Sequence, residues 1–237
     1  MATDARRLRV VSWNIHGCQG SDRRYDPGRV AAVLARLDAD VIGLQEVDWR
    51  RPDWRSQDQF VFLASELGMA AQAGPNLADH RGHYGNGLLT RLPIRQAARI
   101  DLACPGREPR GAIDAALGDE RFGVRVVVTH LGLAARERAE QLARLRGALS
   151  KPRPVHATVL LGDMNEWLFA GRLARTLTPR PFARMIRART FPALAPCFAL
   201  DCLFVDPAPA QLHWRTLRGM AARLASDHLP VVADIIW

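Results

Sequence analysis

Apolar residues recur along this chain in two periods. Residues 9–15 (RVVSWNI), 40–46 (DVIGLQE), 87–91, 97–102, 111–117, 121–129, 158–161, 199–205 and 230–237 are short apolar or alternating runs, and each predicts a strand. Residues 27–37 put Val30, Val33, Leu34 and Leu37 on one helical face behind Pro27. Residues 57–67 repeat that spacing with Phe60, Leu63, Ala64 and Leu67 ahead of Gly68, and 134–149 predict a third helix. Residues 168–197 are punctuated by proline and read as loop-rich. With no internal repeat, low-complexity tract or linker, one domain over residues 1–237 is expected. The order of elements predicts an α/β (α+β) fold, a four-layer sandwich of two mixed β-sheets flanked by helices.

Composition narrows the class. Of 237 residues, 48% are hydrophobic and 24% charged, which excludes disordered and fibrous chains. No apolar run approaches the roughly 20 residues that span a bilayer, and residues 1–9 lack the apolar core of a signal peptide. A cytoplasmic monomer is therefore expected. Cys18, Cys104, Cys197 and Cys202 have no spacing that suggests zinc or a disulfide framework, and read as free thiols. The net charge of +9 favours a polyanionic partner. Lys151 is the single lysine, and +7 of the total falls between residues 170 and 224. There Arg172, Arg175, Arg180, Arg184, Arg187, Arg189, Arg215, Arg218 and Arg223 face two aspartates. A basic face on the C-terminal half is expected to meet nucleic acid or an anionic lipid surface.

Polar residues end or follow the apolar runs, where a rigid sheet would display a site built on loops. Asn14, Glu46, His130, Asp163, Asn165, Asp201, Asp227 and His228 all stand in such places. Glu46, ending a buried strand, suits a hard cation. Asp163 and Asn165 are two apart, so an extended chain would point them the same way.

In order, WNIHG, LQEVD, GNGLLTRLPI, THLGL, LLGDMNEW, TFPALAPCFALDCLFV and SDHLPVVADI resemble the signature segments of the endonuclease/exonuclease/phosphatase superfamily, over residues 10–236. The resemblance implies Glu46 as principal ligand of Mg²⁺ or Mn²⁺, assisted by Asn14 and Asp227. It implies Asp163 and Asn165 as the pair that orients the attacking water or the phosphate, and Asp201 as the carboxylate that holds His228 in one tautomer. His228 would be general base or phosphate stabiliser. His130 resembles the central histidine of the deoxyribonuclease I, neutral sphingomyelinase and deadenylase branches, not the abasic-site endonucleases. Arg110 resembles a phosphate-binding arginine of the same branches, with a surface arginine as the other reading. Cys202 departs from the aromatic residue usual after the aspartate, which puts local packing in question. The chain also lacks room for a DNA-clamping loop or an apolar membrane hairpin.

The implied activity is a metal-dependent phosphodiesterase acting on nucleic acid or a phospholipid headgroup by in-line water attack. A phosphatase of a small soluble metabolite and a catalytically idle binding module with the same fold are the alternatives.

Overall fold

The computed structural model describes residues 6–50, 58–167, 170–178 and 181–237. Strand β1 (Arg7–Asn14) leads through α1 (Pro27–Ala35) to β2 (Val41–Asp48), which lies parallel to it. Helix α2 (Gln59–Leu67) precedes the hairpin of β3 (Ala70–Asp79) and β4 (Gly82–Thr90). Strands β5 (Ile94–Asp101), β6 (Gly111–Gly118) and β7 (Gly123–His130) form an antiparallel meander. Helix α3 (Ala135–Leu149) then crosses to β8 (Ala157–Asp163), parallel to β7. The chain ends with α4 (Ala170–Leu177), β9 (Arg184–Ala188), β10 (Asp201–Asp206), β11 (Gln211–Thr216), α5 (Met220–Ala225) and β12 (Val231–Ile236).

These strands make two six-stranded sheets, ordered β11-β12-β1-β2-β4-β3 and β5-β6-β7-β8-β10-β9. Alternation decides what fills each layer. Val10, Val41, Leu88, Val128, Leu161 and Val231 meet between the sheets. Trp13, Leu44, Val30, Leu34 and Phe60 pack the other face of the first sheet against α1 and α2. Leu160, Phe204, Leu142 and Leu145 do the same beneath α3 on the second. The result is the predicted four-layer sandwich. Each fully buried aliphatic or aromatic side chain contributes about 1.5–3 kcal/mol, so this three-part apolar stack is the platform that carries the rest. The helix starts follow from sequence: Asp26 accepts from the Arg29 amide at 3.2 Å, and Asp58 from the Phe60 amide at 2.7 Å. Gly68, at φ 59°, ends α2.

The edges depart from expectation. β3, β9 and β11 are strands where the pattern predicts none, and α4 and β9 occupy part of the loop-rich segment. All three strands lie at sheet edges, where little of the strand is buried and alternation fades. β3 also carries Pro75 at a register shift, which an edge tolerates. Helix α5 was likewise unsignalled, with six residues and two buried alanines. Gln57, the expected start of the second helix, and Arg180 lie outside the described residues.

The basic face needs correction too. Arg187 donates to the Glu166 and Ala199 carbonyls at 2.7 and 2.9 Å. Arg223 donates to the Arg218 and Leu194 carbonyls at 3.0 and 2.8 Å. These two are structural ties, whereas Arg184, Arg189, Arg215 and Arg218 are exposed. Cys202, facing outward, is fully buried beside Phe204 in the layer beneath α3, so the departure at that position packs without a gap-filling aromatic. Cys104, Cys197 and Cys202 are free thiols, and Cys18 is buried against Gln59. Among the described residues no helix is long and apolar enough to cross a membrane.

Both parallel pairs point their C-terminal ends at one rim, and Gly162 sets the geometry there. Its φ is 149°, and a Cβ would stand 1.8 Å from the Thr129 carbonyl oxygen of β7. Only glycine fits this crossing. Gly162→Ala is therefore expected to destabilise the protein by at least about 3 kcal/mol, read as a shift of the urea midpoint at constant m-value. A shift below about 1 kcal/mol would show that the close approach is not needed.

Candidate active site

Each candidate side chain sits where a strand begins or ends at that rim. Asn14 ends β1, His130 ends β7, Asp163 ends β8 and Asp201 opens β10. Arg110 precedes β6, and His228 precedes β12. Glu46 needs more than position. Strand parity puts Gln45 on the inner face and Glu46 on the outer one. The register of β2 against β4 shifts between Leu44 and Val47, and Glu46 adopts φ 58° within this bulge. Bulges re-aim side chains, and here the carboxylate reaches Asn14, whose Nδ2 donates to Glu46 Oε1 at 2.8 Å. Burial, and then the charge of the nearby Glu46 carboxylate, raise the pKa of the Tyr84 phenol.

Asp163 is the hub. Its Oδ2 accepts from Asn14 Nδ2 at 3.1 Å and lies 3.6 Å from His130 Nε2 and 3.7 Å from His228 Nε2. Its Oδ1 accepts from the Asn165 backbone at 2.9 Å. That bond closes a turn in which Asn165 takes φ 48°. Asp163 and Asn165 thus converge as expected, but through a turn and not an extended chain. Asn165 Nδ2 donates to the Leu131 carbonyl at 2.8 Å and meets His130 Nε2 at 3.0 Å.

The two histidines are held in different states. Arg110 Nη1 faces His130 Nδ1 at 3.2 Å and Asn165 Nδ2 faces its Nε2 at 3.0 Å; both groups are donors, a setting that disfavours a second proton on the ring, and the neutral ring accepts from one of them. Burial, and then the Arg110 charge, outweigh Asp163 and push the His130 pKa down to about 3. His228 Nδ1 donates to Asp201 Oδ2 at 2.8 Å, and Thr190 donates to the same oxygen. Burial opposes charge on His228, but Asp201, Asp163 and Asp227 together raise its pKa to about 10. Near neutral pH one ring is neutral and the other cationic, and both turn Nε2 toward Asp163.

All the predicted residues but one fall in this network. Asp227 is part-exposed, 3.9 Å from His16 Nδ1, with Ser226 donating to it at 3.4 Å. Among the described residues no three His, Cys, Asp or Glu side chains form a ready ligand cage. The donors present are hard oxygens on the part-exposed Glu46 and on its neighbours, a set that suits a cation retaining several waters.

Several positioning residues escaped the sequence reading. Ser226 Oγ donates to the Asn14 carbonyl at 2.7 Å and accepts from the His228 amide at 3.2 Å, tying β1 to the histidine loop. Trp13 Nε1 donates to the His228 carbonyl at 2.9 Å. On the second sheet, buried Arg138 of α3 donates to the Gly132 carbonyl and to Glu166 Oε1, both at 3.3 Å. Arg187 continues the chain of ties from Glu166 to Ala199. The segments after His130, after Asn165 and before Asp201 are so joined. Arg138 carried no signal in the sequence, because its burial among the other charges of α3 is visible only in the structure.

A sandwich whose strand ends gather two histidines, two asparagines and three carboxylates at one rim is a phosphoesterase scaffold. The chain belongs to the Endonuclease/Exonuclease/phosphatase family, whose model matches residues 11–228. It is 29% identical over 249 residues to the uncharacterized protein YbhP of Escherichia coli K12, covering 96% of each chain. An endonuclease/exonuclease/phosphatase family protein from Bacteroides thetaiotaomicron superposes with a TM-score of 0.78 at 16% identity, over 98% of both chains. Another, from Beutenbergia cavernae, gives 0.74 at 23% identity, over 97% of this chain and 71% of that one.

Breaking a buried ion pair from one side strands the other charge, at about 3–5 kcal/mol. Arg138→Met and Glu166→Gln are each expected to cost on the order of 3 kcal/mol, with the double variant well short of their sum. Urea unfolding of the four proteins gives the coupling, and strictly additive losses would mean that the pair does not act as one brace.

Proposed function

We propose that this chain is a divalent-metal-dependent phosphodiesterase that cleaves a P–O ester bond by in-line attack of water. The observation that carries the reading is the convergence on Asp163 Oδ2 of Asn14 at 3.1 Å and of two imidazole Nε2 atoms at 3.6 and 3.7 Å. One buried carboxylate oxygen among donors is placed to accept the proton of a water. The surrounding N–H groups are placed to meet phosphate oxygens.

Glu46, with Asn14 beside it, would hold Mg²⁺ or Mn²⁺, and the bound cation supplies charge against the oxygens on which negative charge grows. Asp227, which stands farther out toward His16, would assist in holding it. Asp163 orients the water and takes its proton. His228, fixed by Asp201 and Thr190, presents Nε2–H to a phosphoryl oxygen, and the neutral His130, fixed between Arg110 and Asn165, flanks the same carboxylate. Arg110 acts through His130, which reconciles its burial with a role in the site. The water oxygen ends on phosphorus and a proton on the departing alcohol. Removing one such donor or base typically costs about 10²- to 10⁴-fold in rate. An idle binding module would have no use for two buried histidines held in opposite states.

Activity on a chromogenic diester is expected to require Mg²⁺ or Mn²⁺, and Glu46→Gln to raise the half-saturating Mg²⁺ concentration at least about tenfold, since the amide keeps size but loses charge. An unchanged half-saturation would remove Glu46 from the metal. His228→Ala is expected to lower kcat by about 10²- to 10⁴-fold. Asp201→Asn should add little to that loss in the double variant, because Asp201 acts through His228; multiplied losses would separate the two.

A further inference from the structure

Seven large apolar side chains are exposed among the described residues, and five of them lie on segments that adjoin the candidate site. Leu133 is 66% exposed, Leu194 55% and Met220 66%, with Phe198 and Leu224 partly exposed. Each lies on a segment that continues a site residue: Leu133 follows His130, Leu194 and Phe198 lie between Thr190 and Asp201, and α5 leads into Asp227 and His228.

Contacts join these segments into one arc. Arg138, which binds the Gly132 carbonyl beside Leu133, also binds Glu166. The next residue, Trp167, stacks edgewise at 5.0 Å on Phe198 and at 5.6 Å on Phe191, whose ring lies 4.9 Å from His228. Arg223 of α5 binds the Leu194 carbonyl at 2.8 Å. Exposed Arg189 stands beside Thr190 at the start of one of these segments, and exposed Arg218 stands two residues before α5. Single exposed apolar residues are ordinary, but a run of them along the mouth of one site marks an interaction surface.

We propose that this rim docks on an anionic lipid surface, so that the ester delivered to the site is that of a phospholipid headgroup. The proposal rests on the phosphodiesterase reading and names its substrate class. Charge complementarity selects the partner. Whatever covers the rim must present a phosphate ester to the site, accept aliphatic tips and offer anions to arginines, and a bilayer surface does all three. Nucleic acid offers the anions and stacking faces for aromatic rings, but no apolar layer for Leu133, Leu194 and Met220.

The test is co-sedimentation of the full chain with phosphatidylcholine vesicles, with and without about one-third phosphatidylglycerol, from about 50 to 500 mM salt. The wild type is expected to bind the anionic vesicles and to weaken with salt. Leu133→Ser/Leu194→Ser/Met220→Ser is expected to bind them at least about tenfold less well, as three apolar tips lose their burial. Arg189→Gln/Arg218→Gln should flatten the salt dependence. Both variants should hydrolyse a soluble chromogenic diester as the wild type does, since none of these residues touches the site. Equal vesicle binding by wild type and triple variant overturns the proposal. So does tighter binding of duplex DNA that the triple variant loses, which would assign the rim to nucleic acid. Vesicle binding is read without turnover, so a chain that binds vesicles yet cleaves no diester would refute the phosphodiesterase reading and leave the rim standing.

Discussion

The Asp163 carboxylate is 1% exposed, and a charge so placed has to be met inside the protein. Its four neighbours come from four places: Asn14 from the first sheet, His130 from the second, His228 from the loop before β12, and the Asn165 amide from its own turn. One oxygen pair therefore ties the two sheets together at the rim. The ring states follow from the next neighbours. Arg110 and Asn165 set donors against both nitrogens of His130, so it stays neutral, whereas Asp201 at Nδ1 and Asp163 at Nε2 set carboxylates against both nitrogens of His228 and favour its cation. The site thus joins one buried carboxylate to two rings of different charge, each held by its own hydrogen-bond partners.

Holding that arrangement costs backbone strain. Glu46 at φ 58° and Asn165 at φ 48° are non-glycine residues in the left-handed region, at about 1–3 kcal/mol each. The apolar layers beneath offset this, and buried polar ties keep the loops from relaxing: Ser226 and Trp13 on one side, Arg138, Glu166 and Arg187 on the other. The loops are tied down by hydrogen bonds where they carry the candidate site residues, and they expose apolar side chains farther out. Under the two proposals the same short segments serve both the chemistry and the surface that brings substrate to it.

Much of this was legible in the chain. The strands of both parallel pairs are buried on two faces and read as dense apolar runs, and the residues ending them stood out for that reason. Less direct features did not show. Glu46 points inward only because a bulge breaks the alternation that would have turned it out. Asp163 and Asn165 meet through a turn that their spacing does not reveal. Arg187 and Arg223 counted toward a basic face but spend their donors on carbonyl groups, which a charge tally does not see. Edge strands β3, β9 and β11 lack the two-sided burial that makes a strand readable, and Thr190 looked like any loop threonine until Asp201 was seen beside it.

The pairing of a neutral with a cationic imidazole around one carboxylate is the centre of this account, and ¹⁵N NMR of the ring nitrogens tests it most directly. At pH 7 His130 lies above its lowered pKa and should show one lone-pair and one protonated nitrogen. His228 lies below its raised pKa and should show both nitrogens protonated, losing one proton only as the pH climbs toward about 10. A doubly protonated His130, or a His228 already neutral at pH 7, would contradict it.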